Sequence, residues 1–248
     1  MKKFNRLESI KKIIIQKGFC SINDLFGEIG TSESTIRRDL SILEQQGFIE
    51  RYHGGAVDYA MLSHIKRLNI NIEDKEEIGK KAALLVSDGQ IVILGAGSTV
   101  SILGNYLINK KRLTIITTSI SIARQLSSNI GFKIILTGGE MDLENHSLTG
   151  HLAELTLQQV NADISFFSCD SISPSLEVMN VSFEIASLKK FILRASSQKV
   201  IIADSSKFGK VNLASIGSIS QFNKLVVDSN LSHEYVKRIE DLGTEVII

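Results

Sequence analysis

The sequence predicts an α/β protein in two parts: a small helical domain carrying a β-hairpin over residues 1–57, and a mostly parallel α/β domain over residues 75–248. Three observations carry this. Up to Gly47 the apolar residues recur at helical spacing in three runs, each bounded by a cap or a glycine stop. From Lys75 onward, continuous apolar runs alternate with helical stretches, the pattern of parallel strands covered on both faces. Between them residues 58–74 hold no sustained period and read as a linker, with room for a short helix near Ile65.

In the first helix, "FNRLESIKKIIIQKG", Leu7, Ile10, Ile14 and Ile15 share one face and Gly18 is the stop. The second, "SINDLFGEIG", has Ser21 placed to accept from the amide of Asp24, with Ile22, Leu25, Phe26 and Ile29 as its buried side. The third, "TSESTIRRDLSILEQQG", starts at a Ser32 cap and stops at Gly47. Its Ile36, Leu40 and Leu43 form an apolar stripe, and Ser34, Arg37, Arg38 and Ser41 share the opposite face. Two β-prone pieces in "FIERYHGGAV" flank Gly54 and Gly55, which allow a tight hairpin.

Three short helices with a tight link before the third, followed by a hairpin, make a winged helix-turn-helix, whose third helix enters a major groove about 12 Å wide. Ser32, Ser34, Thr35, Arg37 and Arg38 would then reach double-stranded DNA, with Arg51 and His53 on the wing. Arginine's planar fork fits guanine O6 and N7 and fits phosphate equally well, so spacing alone assigns neither arginine to base or backbone.

"SESTIRRDLSILEQQGFIERYHGGAV" resembles, without a gap, the amino-terminal signature of the DeoR family of bacterial transcriptional regulators. The resemblance implies DNA contact for Arg37 and Arg38. Most of the remaining chain shares it: "KEEIGKKAA", "GST", "LTGGE", "LTGHLAE", Glu184, Ala186, Lys189 and "ADSSKFG" are similar to the family's sensor domain. That domain's fold is related to ribose-phosphate isomerases, and in the family it binds a phosphorylated sugar or related metabolite that alters operator affinity.

The larger domain also reads from its residues. Its strands are "QIVILG", "LTIITT", "FKIILTGG", "ADISFFS", "KVIIAD", "KLVVD" and "TEVII", and ligands in such sheets sit at the carboxyl ends. The first strand runs through "GAGST" into a helix, offering backbone amides and hydroxyls to an anion. Later strands end at Thr117 to Ser119, at Gly138 and Gly139, at Asp170, and at Asp204 to Gly209. Glycines, hydroxyls and two aspartates at one edge suit a polyhydroxylated anion. The resemblance implies Gly97, Ser98 and Thr99 as the phosphate holders, with Asp170, Lys189, Asp204 and Lys207 near the ligand.

The pocket departs from the family pattern at Gly95, Thr118, Asp142, Ile164, Ser171 and Glu177. Two cations are lost and a carboxylate gained, so Lys189 and Lys207 are expected to compensate. The alternative reading is a sugar-phosphate isomerase-like enzyme with a DNA-binding head, its base drawn from Glu140, Asp170 or Glu177. No pairing of these is compelling, and His146 and His151 read as surface or capping residues.

Composition sets the remaining bounds. The 248 residues carry a formal charge of only +1, yet the first twenty hold Lys2, Lys3, Arg6, Lys11, Lys12 and Lys17 against Glu8. Cys20 and Cys169 stand far apart, without companions at metal-ligand spacing, which excludes a disulfide framework and a zinc site. No stretch approaches the ~20 apolar residues that span a bilayer. The expectation is a cytoplasmic regulator without cofactor or catalytic residues, acting as a homo-oligomer, dimer or tetramer, on repeated half-sites.

Overall fold

The computed structural model describes residues 3–17, 19–46, 48–52, 54–58, 70–143 and 146–248. The chain divides into two compact units, Met1–Arg67 and Leu68–Ile248. His53, the glycines at 18 and 47, and the segment around Ile65 lie outside the described residues.

The first unit packs α1 (Lys3–Lys17), α2 (Ile22–Ile29) and α3 (Glu33–Gln45) against a small antiparallel sheet of β1 (Phe19–Ser21), β2 (Ile49–Tyr52) and β3 (Gly55–Asp58), in the order β1-β3-β2. Ser21 closes a capping box with Asp24, satisfying amides at the start of α2. Gly30, at φ 67°, ends that helix in the left-handed conformation glycine adopts freely, and so sets the tight link to α3. Ile10, Ile14, Leu25, Ile36, Leu40 and Ile49 make the core. Each such side chain, fully buried, contributes roughly 1.5–3 kcal/mol. The sequence reading did not include β1, which lines up with β3 so that Cys20 pairs with Ala56.

A charged clamp supplements the oil. Asp39 is fully buried on α3, and its carboxylate accepts from Arg6 Nε at 2.5 Å and Nη2 at 3.2 Å, which fastens α1 to α3. That bond holds the Arg6 guanidinium above its ordinary pKa. Lys11 sits over the Phe48 ring, 3.2 Å from its centroid.

The second unit is a seven-stranded, wholly parallel sheet in the order β15-β14-β12-β9-β4-β5-β6. Its strands are β4 (Ile91–Leu94), β5 (Thr114–Thr117), β6 (Lys133–Leu136), β9 (Ala162–Phe167), β12 (Ser196–Ile202), β14 (Lys224–Val226) and β15 (Glu245–Ile247). Among the described residues six α-helices accompany them: α4 (Ile72–Leu84), α5 (Ser98–Leu107), α6 (Ile120–Leu126), α7 (His151–Gln158), α8 (Phe183–Arg194) and α9 (His233–Glu240). Two apolar clusters form the core, one centred on Phe167, Ile201 and Phe222 and the other on Val92, Phe166 and Val200. The alternation of Phe166 and Phe167 between clusters follows from the period of two along a strand.

Two short antiparallel sheets complete the unit: the hairpin β7 (Glu140–Asp142) with β8 (Ser147–Thr149), and β10 (Ser171–Ile172), β11 (Glu177–Asn180) and β13 (Ala214–Ser218). Helix α4 begins three residues before Lys75, with Glu73 and Asp74 in its first turn where the helix dipole favours acids.

Candidate functional site

On the first unit the exposed face of α3 gathers hydroxyls and guanidinium groups. The Ser32 hydroxyl accepts from the Thr35 amide at 3.4 Å and lies 3.0 Å from Ser34 Oγ and 2.8 Å from Thr35 Oγ1, so all three are held at the helix start. Arg38 is exposed, and Arg37 is about half exposed with Glu33 at 3.7 Å as an ion-pair partner. Arg51 on β2 is tied to the same face: its amide donates to Glu44 Oε1 at 3.1 Å and its Nη1 to Ser41 Oγ at 3.3 Å. Arg51 thus joins the hairpin to the polar face of the third helix.

On the second unit the chain runs β4, β5, β6 to one side and then β9, β12, β14, β15 to the other, so the order reverses between β4 and β9, where open α/β sheets bind ligands. Leu94 pairs with Thr117 on one flank and Phe166 on the other, and Phe167 pairs with Ile201, so the loops after β4, β5, β9 and β12 leave the sheet side by side. At the reversal, Gly97 (φ 139°, ψ 154°) starts α5 from a conformation essentially reserved for glycine. A Cβ there would collide with Ser168 Oγ. Neither α5 nor α7 has a side-chain cap, unlike α6, α8 and α9, whose first turns are capped by Ser119, Ser182 and Ser232. The amides at Ser98 and Thr99 therefore belong to an open helix N-terminus.

Across the crevice Cys169 is buried, and burial pushes its thiol up to about 12, against the opposing pull of Lys189 and Lys207, with Asp170 and Asp204 also acting on it. Four charged residues singled out from the sequence thus act electrostatically on one thiol. Lys189 Nζ donates to Asn180 Oδ1 at 2.6 Å, Asn180 Nδ2 donates to Asp170 Oδ2 at 2.5 Å, and the Val181 amide donates to the same carboxylate at 3.1 Å. Asp204 is buried and accepts from Asn71 Nδ2 at 3.2 Å and from the Ser206 hydroxyl. Beside it the Asp228 carboxylate accepts from the amides of Ser205 at 2.6 Å and Asn230 at 2.9 Å. Burial alone would raise Asp228; these bonds together outweigh it and hold the acid below its ordinary pKa.

The remaining sequence candidates have local duties. Thr117 is buried, its hydroxyl donating to Leu94 O at 2.7 Å and accepting from the Ser119 amide at 3.0 Å. Ser119 caps α6. Gly138 and Gly139 follow β6, the edge strand, about 19 Å from β12 at ordinary strand spacing. A side chain on Gly139 would strike Thr149 O, so glycine there lets the β8 backbone approach. Of the proposed bases, Asp170 is bound by Asn180 and Val181, and Glu177 accepts from Ser215 Oγ at 2.6 Å. His151 opens α7, but His146, at φ 50° immediately before β8, is buried rather than on the surface. Asn71, Ser168 and Asn180 escaped the sequence reading; only Asn180 carried a signal, as part of the atypical "EVMN".

Residues 70–229 match the DeoR C terminal sensor domain and residues 6–59 the DeoR-like helix-turn-helix domain. The chain is 35% identical over 235 residues to the lactose phosphotransferase system repressor of Streptococcus mutans, covering 92% of this chain and 93% of that one. It is 31% identical over 249 residues to the HTH-type transcriptional regulator GolR of Listeria innocua, covering 99% and 98%. Among solved structures, ribose 5-phosphate isomerase A of Methanocaldococcus jannaschii aligns at 22% identity and TM-score 0.41, over 56% of this chain and 55% of that one. Among the described residues no helix is long and apolar enough to cross a membrane.

Proposed function

The chain belongs to the DeoR family of DNA-binding transcriptional regulators, and from that premise we propose that it represses a sugar-utilisation operon under the control of a phosphorylated sugar. The observation that carries this is the hydrogen-bonded chain from Lys189 through Asn180 to Asp170 after β9, beside the strand-order reversal where α5 opens without a side-chain cap.

The division of labour follows from the chemistry. A phosphate takes the first-turn amides at Ser98 and Thr99, where the helix dipole favours negative charge. Lysines 189 and 207 add the cationic field that the pocket's departures from the family pattern remove elsewhere. Asp170 and Asp204 accept from sugar hydroxyls. Gly97 keeps the phosphate's approach clear, while Thr117, Ser119, Gly138 and Gly139 shape the neighbouring loops.

Ser32, Ser34, Thr35, Arg37, Arg38 and Arg51 meet the operator, in a homo-oligomer that doubles the contacts of one head. Coupling runs through Asn71: its side chain joins Asp204 and Ser206 to the residue ahead of α4, so a ligand that draws on Asp204 disturbs that seat. The test is a mobility-shift assay on DNA upstream of its own and neighbouring genes, screened with phosphorylated sugars. Specific binding altered by one such sugar supports the reading; a retarded band indifferent to all of them counts against the sensing half.

A further inference from the structure

We propose that the second unit carries another anion-binding site, at the amino ends of the strands, which takes a small phosphate-bearing molecule. A cavity of about 760 Å³ opens there between α8, β13 and the residues that lead into β14 and β15. Its size lies within the ~300–1,000 Å³ of small-molecule sites, but its wall is mostly polar where such sites are usually apolar.

The charge on that wall has one sign. Lys190 and Arg194 stand one turn apart on α8, and Lys199 lies midway along β12. Like charges at this spacing repel along a helix. No acidic residue lines the cavity, and neither Lys190 nor Lys199 forms an ion pair among the described residues. Of the acids on neighbouring elements, Glu245 pairs with Lys224, and Glu177 accepts from Ser215 of the wall.

Neutral donors complete the wall. Asn223 Oδ1 accepts from the Lys199 amide at 2.8 Å, which aligns its side chain and leaves Nδ2 to donate. Gln221 lies where a side chain on Gly217 would otherwise stand. The Arg194 guanidinium, 5.5 Å from the Phe191 ring centroid, sits between this hollow and a smaller one of about 230 Å³. A concave wall with three cations suits a compact anion; a duplex, whose phosphates lie on a convex surface, would not enter it.

The two sites share supporting elements. Lys189, beside Lys190 on α8, reaches Asn180 at the strand-end crevice, and Ser215 of the cavity wall holds Glu177 on β11, the strand that carries Asn180. Occupation of the cavity therefore bears on the geometry of the first site.

The experiment is calorimetric titration of the full chain with pyrophosphate and, separately, inorganic phosphate. Native protein and Lys207→Ala are expected to share a binding event that weakens at least tenfold in Lys190→Gln/Lys199→Gln and survives in Lys190→Arg/Lys199→Arg. Circular dichroism checks that each variant is folded. No binding to native protein, equal binding by the glutamine pair, or abolition by Lys207→Ala alone would overturn the proposal. So would a fall in ligand-free operator affinity of the glutamine pair, which would assign these cations to DNA instead.

Discussion

Replacing Arg37 and Arg38 by alanine separates the two roles their guanidinium groups can play. Arg38 is exposed, and Arg37 is about half exposed with an ion pair to Glu33 at 3.7 Å, an exposed contact worth about 0.3–0.5 kcal/mol. The apolar stripe of Ile36, Leu40 and Leu43 on the other side of α3 is untouched, so the head should melt within about 4 °C of the native protein. Binding should change far more. Each phosphate neutralised adds about 0.9 to the slope of log affinity against log salt, so two contacts contribute about 1.8. Raising salt fourfold, from about 50 to about 200 mM, should then shrink the native protein's advantage over the double variant about tenfold. If one arginine reads a guanine instead, its single variant should lose discrimination at one base pair, worth roughly 1–3 kcal/mol, with little change in slope. Fluorescence anisotropy on operator and single-base variants measures both. Slope, affinity and discrimination all equal to native would refute the groove-facing assignment of α3.

Three further outcomes follow from the second unit. With its thiol pushed up to about 12, Cys169 should hold about a thousandfold less thiolate at pH 8 than a cysteine at the ordinary 9.0, and site-resolved alkylation should label it only on unfolding; labelling of native protein at the rate of an exposed cysteine would contradict this. Asp228 is held below its ordinary pKa, so its contribution to stability is present above the unfolded value near 3.8 and is lost as pH falls through the folded one. Melting of Asp228→Asn between pH 6 and pH 3 should show a shallower acid limb than native protein, and an equally steep limb would rule out this residue as a source. Asn71→Ala removes both bonds to the Asp204 loop and should leave ligand and operator affinities each near native while shrinking the effect of one on the other; an undiminished effect would remove Asn71 from the coupling.

What was legible in the sequence tracks what is local in the fold. β4, β5, β9 and β12 are continuous apolar runs because each is covered on both faces, and α2 and α3 announce themselves by serine caps and amphipathic spacing. The strand ends could be read as a site because parallel topology sends every such loop to the same edge. The short strands were not legible: β1 has three residues and depends on a partner in the wing, and the brief β10 and β11 hairpin gains its third strand, β13, from a segment far along the chain. Asp39 looks like a surface acid in "RRDL", yet it is fully buried because Arg6, 33 residues away, meets it from α1. Asn180 presents the same difficulty. Its amide links Lys189 to Asp170 only once β11 and α8 are packed together.

The central claim is that the crevice at the N-terminus of α5 controls how tightly the head grips its operator. Its most direct test is operator affinity with and without the phosphorylated sugar that responds in the screen, measured for native protein and for Gly97→Ala. The new methyl group would collide with Ser168, from a backbone conformation that costs a non-glycine residue roughly 1–3 kcal/mol, inside the crevice and far in sequence from α3. The account predicts that ligand-free operator affinity stays at the native value while the sugar's effect disappears. A Gly97→Ala protein that is folded and responds to the sugar as the native protein does would contradict it.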